Sequence, residues 1–273
     1  MEWIVLLSIG FSAGALGALA GIGGGIIIVP SLLFLGISTA LLPSISPQQA
    51  VGISLVVMIF TGLSSTLAYM KYKTVDYKSG LLFFIGSGPG GMAGALVNKA
   101  LSTHSFYIYF GVFMIFIAVV LIFRSKIKPL SSKKEGGIVR TFTEKSGKMY
   151  TYSFQPAVAI AISFFVGFFS GIFGIGGGAL MVPAMILLFA FPPHVAVATS
   201  MFMIFLSALV SSVTHVLLGN VVWLYALLLI PGAWVGAKCG AFVNTRIQSD
   251  ALIMVLRLIL IVTGIRLIYE GLA

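Results

Sequence analysis

The chain has 273 residues, of which 59% are hydrophobic and only 8% are charged, with a formal net charge of +10. A soluble globular domain carries roughly a quarter charged residues, so this composition excludes a soluble protein. Runs of about 20 apolar residues recur along the chain, and each is long enough to span a bilayer. Most of the basic residues lie in loops and one linker, which argues against nucleic acid as a partner.

Ten apolar segments are predicted, five in each half, so the fold class is an all-α polytopic membrane protein. Residues 1–123 and 156–273 form the two transmembrane halves, and residues 124–155 form a basic, solvated linker. The segments are Trp3–Ala20, Ile26–Leu42, Gln48–Met70, Ser79–Val97, Phe106–Phe123, Pro156–Phe173, Ala179–Phe191, Val195–Leu218, Val221–Ala237 and Ala251–Tyr269. An alternative count gives eight full spans and two re-entrant hairpins, and the sequence leaves both open.

A Gly-Ile-Gly-Gly-Gly sequence occurs twice, at residues 21–25 and 174–178, and each copy interrupts an apolar run. Pro30 and Pro183 follow the last glycine of each copy by five residues. Each glycine costs a helix about 1 kcal/mol relative to alanine, so both copies predict a break in a helix. In hydrocarbon, the backbone groups freed by a break must be buried in protein or face a cavity.

The two halves align at two fixed offsets, which indicates an internal duplication. The glycine breaks and their prolines match at an offset of 153 residues, as in Gly21 and Gly174. From the third segment onward the offset is 146, so the first half has seven extra residues around Ser38–Ile45. The pairs at this second offset include Ser54 and Ser200, Gly86 and Gly232, Gly90 and Gly236, Gly94 and Gly240, and Asn98 and Asn244. The four-residue glycine spacing is typical of a smooth helix face for close packing.

Lysines and arginines are concentrated in three connections, namely residues 71–78, the linker, and the loop that contains Arg246. By the positive-inside rule all three connections are cytoplasmic, which places both termini outside. Each half then makes an odd number of crossings, so the halves are expected to be inverted relative to each other. Inverted repeats with broken helices are typical of secondary transporters.

The two breaks predict an anion site, because a helix that restarts after glycine presents backbone N–H groups at its positive end. The alternative is that the glycines only permit helices to cross closely. The candidate substrate-binding residues on the breaks are Gly23, Gly24, Gly25, Gly176, Gly177 and Gly178, and the break-forming residues are Gly21, Pro30, Gly174 and Pro183.

Three hydroxyl side chains are further candidates, namely Ser54, Thr199 and Ser200, which could donate to an oxyanion. Equally, serine and threonine in membrane helices often bond back to their own backbone. Arg257 lies well inside the tenth segment, where a charge is costly and is usually functional or paired. It could neutralise a substrate anion or extend toward the end of its helix.

All six acidic residues fall in loops or at segment ends. A carrier coupled to protons or sodium usually buries a carboxylate in its spans, so a gradient-driven route or a substrate-carried proton fits better. No catalytic triad, carboxylate pair or metal-ligand pattern is visible, and the single cysteine, Cys239, excludes an intramolecular disulfide. The sequence therefore predicts a non-enzyme without cofactor or metal.

The chain resembles the sulfite exporter TauE/SafE family, also called the 4-toluene sulfonate uptake permease family. The resemblance rests on the two Gly-Ile-Gly-Gly-Gly-x4-Pro copies, the duplication, and a Pro-x-x-Ala-Val-x-x-Ser sequence that runs from Pro47 to Ser54 and again from Pro193 to Ser200. It covers nearly the whole chain apart from the linker. It implies a prokaryotic plasma-membrane carrier of small sulfur-containing anions such as sulfite, thiosulfate or organosulfonates.

The resulting hypothesis is an alternating-access carrier that holds the anion with two broken helices and with Ser/Thr hydroxyls. One alternative is an anion channel, and another is a membrane assembly or regulatory subunit that transports nothing. A homodimer is compatible with the family and with the glycine-lined helix faces.

Overall fold

A computed structural model describes residues 2–38, 45–123, 137–143, 149–244 and 250–272. The helices in this part are α1 (Glu2–Ala20), α2 (Gly25–Ser38), α3 (Pro47–Lys71), α4 (Tyr77–Ala100), α5 (Thr103–Phe123), α6 (Pro156–Phe173), α7 (Gly178–Leu187), α8 (Pro193–Leu217), α9 (Trp223–Asn244) and α10 (Asp250–Leu272). Two strands, β1 (Ile138–Thr143) and β2 (Met149–Phe154), lie between α5 and α6. The all-α class is confirmed, with one hairpin that was not predicted. Three predicted features lie partly or wholly outside the described residues. They are the seven-residue insertion near Ser38–Ile45, much of the linker, and Arg246.

Seven of the described helices have the length and hydropathy of a membrane span, namely α1, α3, α4, α5, α6, α8 and α9. The helices that follow the glycine breaks are shorter, with 14 residues in α2 and 10 in α7. At 1.5 Å per residue neither crosses about 30 Å of hydrocarbon. These lengths agree with the count in which two short segments accompany the full spans. Whether the short segments are re-entrant stays a prediction.

The two halves of the chain interlock. The first helix of each half packs against the fourth helix of the other, so α1 pairs with α9 and α6 pairs with α4. A Cβ atom added at Gly90 would lie 2.1 Å from the carbonyl oxygen of Phe164, and one added at Gly236 would lie 2.1 Å from that of Phe11. The two contacts are equivalent under the internal repeat. Only glycine allows this approach, which confirms the predicted role of the glycine faces in packing.

This packing changes the argument about a homodimer. The glycine faces of α4 and α9 are covered by α6 and α1 of the same chain. They are therefore not surfaces that a second copy could use. The homodimer stays a prediction that rests on the family alone.

Equivalent helices of the two halves run antiparallel where they meet. At one end of the α3–α8 pair, a Cβ added at Gly52 would lie 2.1 Å from the carbonyl oxygen of Asn220, just beyond α8. Further along α3, Gly62 lies against Phe205 in the first half of α8. The α5–α10 pair is antiparallel as well, since Gly271 lies against the carbonyl of His104. These antiparallel pairs support the predicted inversion of one half relative to the other. The orientation of each half in a membrane stays a prediction.

Strands β1 and β2 form an antiparallel hairpin in the region expected to be a solvated linker. Side chains along β2 alternate between more exposed and more buried positions. Tyr152 and Phe154 are each only 3% exposed. Phe154 packs near Phe83 and Phe189, and the Tyr152 ring lies 4.0 Å from that of Phe191. Aromatic pairs of this kind contribute about 0.5–1.5 kcal/mol beyond their area, so the hairpin is held firmly on the bundle. The expectation of a solvated linker therefore does not hold for the face of the hairpin that carries Tyr152 and Phe154, whereas Val139 and Met149 are exposed.

The hairpin is also tied to the start of α4 by a hydrogen bond. The Tyr152 hydroxyl donates to Oδ2 of Asp76 at 2.8 Å, and Asp76 caps α4 by accepting from the Ser79 amide at 3.1 Å. Burial and the neighbouring Asp76 carboxylate raise the pKa of the Tyr152 hydroxyl above its ordinary value, which keeps it protonated as a donor. The loop before α4 and the hairpin thus share one end of the bundle, as their common basic character predicted.

Candidate functional site

Each glycine copy forms a short non-helical connection between two helices, as predicted. In the first copy φ is +74° at Gly21, +87° at Gly23 and +89° at Gly24. The second copy repeats these values, with +69° at Gly174, +80° at Gly176 and +70° at Gly177. Side chains make positive φ costly, so glycine is required at the same three places in both copies.

The two breaks lie directly against each other. A Cβ atom added at Gly25 would lie 2.0 Å from the carbonyl oxygen of Gly174, and one added at Gly178 would lie 2.0 Å from that of Gly21. The break of one half therefore contacts the break of the other through equivalent atoms. The glycines thus permit the close crossing that one interpretation expected, whereas the anion site stays a prediction.

Ser54 and Ser200 join the two breaks by equivalent hydrogen bonds. The Ser54 hydroxyl donates to the carbonyl oxygen of Gly174 at 2.8 Å, and the Ser200 hydroxyl donates to that of Gly21 at 2.8 Å. Each serine lies on a long central helix of one half and binds the break of the other half. Both side chains are fully buried. The structure thus brings together the glycines and the two serines that the sequence singled out.

Two further pairs of polar side chains hold the helix ends that enter the breaks. Asn98 donates to the carbonyl of Ile172 and Asn244 to that of Leu19, both at 2.7 Å. The Tyr69 hydroxyl donates to the carbonyl of Ala18 at 2.8 Å, and Nε2 of His215 lies 3.1 Å from that of Gly171. Ala18 and Gly171 are equivalent positions, as are Leu19 and Ile172.

His215 therefore has a structural role that matches that of Tyr69. Its other ring nitrogen lies 3.3 Å from the side-chain amide of Asn220, so the ring donates through Nε2 and accepts through Nδ1. His215 corresponds to Tyr69 at the 146-residue offset, and both side chains bind equivalent carbonyls.

Thr199 and Arg257 are placed away from the contact between the breaks. The Thr199 hydroxyl accepts from the Asp76 amide at 3.0 Å, near the start of α4. Arg257 donates to the carbonyl of Leu121 near the end of α5, and its buried Nε has no hydrogen-bond partner in the described part of the chain. Neither residue shares a described contact with the breaks, so their role in substrate binding stays a prediction. Pro30 and Pro183 lie inside α2 and α7, as their spacing indicated.

Met58 and Ile204 were not predicted, although they pack against both breaks. A Cβ added at Gly23 would lie 3.1 Å from Sδ of Met58, and one added at Gly176 would lie 2.6 Å from it. The corresponding distances to Cγ2 of Ile204 are 3.2 and 3.5 Å. The two residues are equivalent at the 146-residue offset and lie one helical turn after Ser54 and Ser200. That offset is the signal that could have identified them.

The positive ends of α2 and α7 each lie against the connection of the other break. Among the described backbone hydrogen bonds, none is donated by the amides of Gly24, Gly25 and Ile26, or by those of Gly177, Gly178 and Ala179. Each helix start carries about half a positive charge. A Cβ at Gly25 would lie 2.8 Å from the Cα of Ile175, and one at Gly178 would lie 2.8 Å from that of Ile22, so each helix start packs against the connection of the other break. This arrangement favours an anion and disfavours a cation.

Comparison with known proteins agrees with this architecture. The model of the family described as "Sulfite exporter TauE/SafE" matches residues 6–267. The chain belongs to this family. It is therefore a multi-pass membrane protein of the TauE/SafE transporter type.

Several family relatives are similar over almost their entire length. The probable membrane transporter protein YunE of Bacillus subtilis is 57% identical over 271 residues, which cover 99% of each chain. YjnA of the same organism, another probable membrane transporter protein, is 27% identical over 97% of this chain and 99% of its own. The probable membrane transporter protein YfcA of Escherichia coli is 23% identical over 87% of this chain and 78% of its own. No solved structure gives a significant match.

Proposed function

We propose that the protein is a secondary carrier that moves small sulfur-containing anions, such as sulfite, thiosulfate or organosulfonates, across the plasma membrane without converting them chemically. The observation that carries the proposal is the contact between the two glycine breaks, beside which the first amides of α2 and α7 donate no described backbone hydrogen bond. Each helix start carries a partial positive charge, and in a low-dielectric interior such charges attract an anion strongly. An anion bound between the breaks would accept from these amides.

The breaks must separate before an anion can enter. In the structure they touch, and Met58 and Ile204 occupy the space beside Gly23 and Gly176. The hydroxyls of Ser54 and Ser200 are used to hold the breaks together. Separation would free both hydroxyls, which then become donors to the anion in place of the glycine carbonyls. The same side chains thus serve the closed and the bound forms.

The interlocked helices restrict how this movement takes place. Because α1 pairs with α9 and α6 pairs with α4, the two halves cannot rock against each other as separate bodies. The moving units must each combine helices from both halves. We assign the paired helices α3 and α8, which carry Ser54 and Ser200, to one unit, and the two short helices to the other.

A binding and transport experiment tests the proposal. Thermal stability of the purified protein in detergent is measured with sulfite, thiosulfate, sulfate, sulfoacetate, taurine and chloride at matched ionic strength. A ligand that binds only the folded state raises stability by about 2.7 kcal/mol at a hundredfold excess over its Kd. We expect one sulfur anion to stabilise the protein selectively, and the same anion to be taken up or released by proteoliposomes with saturable kinetics.

Variants at the breaks link that activity to the site. Gly24→Leu and Gly177→Leu should abolish anion binding, and Leu209→Ala on the exposed face of α8 is the matched control. Unchanged transport in break variants that still fold would refute the site. Conductance without saturation would instead establish the channel, and a tight protein partner without any anion effect would establish the assembly subunit.

The orientation in the membrane belongs to the same proposal. The linker with its hairpin is cytoplasmic and both termini are external, because the basic connections share one side. A Val139→Cys variant in a Cys239→Ser background tests this, since Val139 is 62% exposed on the hairpin. We expect a membrane-impermeant thiol reagent to label it only after cells are permeabilised. Labelling of intact cells would reverse the orientation.

A further inference from the structure

A cavity of about 300 Å³ lies between α2 and α10, apart from the contact between the breaks. This is the size of a small-molecule site. Its walls are mostly apolar, with one charged pair at an edge. The lining residues are Ile26, Ile27, Pro30, Ser31 and Phe34 on α2, and Ile259, Thr263, Arg266, Leu267 and Glu270 on α10.

The cavity is a cleft that follows the helix axis. The nine residues from Ile26 to Phe34 span about 12 Å of helix, which is eight rises of about 1.5 Å. Ile26, next to the first break, is fully buried, whereas Phe34 at the other end of the cleft is 43% exposed. One leaflet of a bilayer has about 15 Å of hydrocarbon, which is half of the usual thickness. The cleft therefore has the length and direction of a lipid chain in one leaflet.

A cation and an anion lie side by side at the open end of the cleft. Nε of Arg266 donates to Oε1 of Glu270 at 2.9 Å, and the guanidinium lies 4.0 Å from the centre of the Phe34 ring. The two charged side chains are 44% and 22% exposed. An ion pair at such a site contributes little stability, so it can exchange its groups with those of a ligand at low cost.

The equivalent place in the other half is filled with protein. Ile259 corresponds to Phe113, whose ring stacks on those of Phe169 and Phe173 at 4.9 Å each. There α7 packs against α5, whereas α2 and α10 make no comparable contact in the described part of the chain. Arg266 corresponds to Val120, so the charged pair is absent as well. The cleft is thus a local departure from the internal repeat rather than a consequence of it.

We propose that the cleft binds one phospholipid with an amine-bearing headgroup. One acyl chain fills the apolar groove, the phosphate accepts from Arg266, and the ammonium donates to Glu270. The apolar walls favour hydrocarbon over a water-filled path for a substrate, because the Thr263 hydroxyl already bonds back to the carbonyl of Ile259 at 2.6 Å. The paired charges favour a zwitterionic headgroup over an anionic one.

Such a lipid would act on one break alone. It packs along α2, directly after the first glycine copy, whereas α7 packs directly against α5 of the chain itself. Movement of α2 then requires the lipid to shift or leave, so the membrane composition affects the first break and not the second.

Native mass spectrometry of the delipidated protein, titrated with phosphatidylethanolamine or phosphatidylglycerol of identical acyl chains, tests the proposal. We expect one phosphatidylethanolamine to bind about tenfold more tightly than phosphatidylglycerol, a difference typical of one additional charge-assisted hydrogen bond. Glu270→Gln should abolish the preference, and Arg266→Gln should weaken both lipids. Ile259→Phe imports the residue of the other half and should weaken both at least about tenfold by filling the groove.

Val262→Phe is the matched control, because Val262 lies on α10 but is 63% exposed and does not line the cleft. It should bind both lipids as the wild type does. The rim variants change side chains that are only partly buried, so they remain informative if Ile259→Phe does not fold. Wild-type binding in Ile259→Phe would overturn the proposal, as would equal binding of the two lipids by the unmodified protein. Displacement of phosphatidylethanolamine by methanesulfonate would overturn it in favour of a substrate entry path.

Discussion

At the centre of the molecule, the close approaches between the two glycine breaks occur in equivalent pairs, as do two serine hydrogen bonds of 2.8 Å each. At the periphery the halves differ, since α7 packs against α5 beside stacked rings of α5 and α6, whereas a cleft lies between α2 and α10. The hairpin is likewise present on one end only in the described part of the chain. Residues that bind both halves at once are constrained to match, whereas outer positions are free to diverge.

The largest expected effect is at the glycines that touch across the centre. Gly25→Ala and Gly178→Ala each place a methyl group 2.0 Å from a backbone oxygen, so we expect each to destabilise the protein by about 3 kcal/mol or more. Gly219→Ala is the control, because Gly219 also has a positive φ, of +74°, but has open space around it. It should cost only about 1–2 kcal/mol. Melting temperatures in detergent measure all three, and unequal effects of the first two would break the equivalence of the halves.

A reciprocal exchange at the periphery has the next largest effect. Phe113→Ile removes a ring from a stacked cluster, so we expect a loss of about 2 kcal/mol from the cavity that remains. Ile259→Phe fills an existing cleft and should be neutral or slightly stabilising in delipidated protein. The two melting temperatures are compared directly. If neither variant changed the melting temperature, the difference between the two halves would have no energetic basis.

The two central serines should show smaller and equal effects. Ser54→Ala and Ser200→Ala each remove one donor from a buried glycine carbonyl, which costs about 1–2 kcal/mol. Ser65→Ala is the control, because the Ser65 hydroxyl bonds back to Thr61 of its own helix. It should change the melting temperature little. A large difference between the two central variants would contradict their equivalence.

The smallest effect is expected at the hairpin, and it depends on pH. The folded-state pKa of Tyr152 is raised, so the unfolded protein loses its proton first, near the ordinary value of about 10. The stability that Tyr152 contributes is therefore fully present below about pH 10 and is lost as the pH rises through the higher folded-state pKa. Tyr152→Phe should lower the melting temperature slightly at neutral pH and remove this part of the alkaline loss. An unchanged alkaline loss in Tyr152→Phe would assign it to another group.

Much of the centre was predictable from the sequence because glycine carries conformational information. The two copies located the breaks, and the 146-residue offset selected Ser54 and Ser200 as a pair. The sequence did not show that each serine binds the break of the opposite half, since a repeat reveals which residues are equivalent but not which half supplies the partner. Met58 and Ile204 were missed because an apolar side chain in an apolar helix gives no signal of its own.

Thr199 and Arg257 show a different limit. Thr199 was a candidate because its hydroxyl could donate to an oxyanion, and Arg257 because a charge inside a span is costly. Any nearby backbone group can satisfy such a side chain, so its residue type does not identify a site. The Thr199 hydroxyl accepts a hydrogen bond from the Asp76 amide, and Arg257 donates one to the Leu121 carbonyl. Both contacts lie away from the breaks. The hairpin was missed because its strands are only six residues long and lie in a basic segment. Its apolar residues alternate, but such a pattern is weak without a surface to pack on.

The pairing of α1 with α9 has a consequence for biosynthesis. Asn244 bonds to a carbonyl of α1 that lies 225 residues earlier in the chain. At about 5–20 residues per second, the ribosome needs roughly 11–45 s to deliver the partner of the first helix. During that time the glycine-rich side of α1 faces lipid or an insertion factor, and no early half-molecule can reach its final packing. The protein should therefore complete its assembly only after the last helices have entered the membrane.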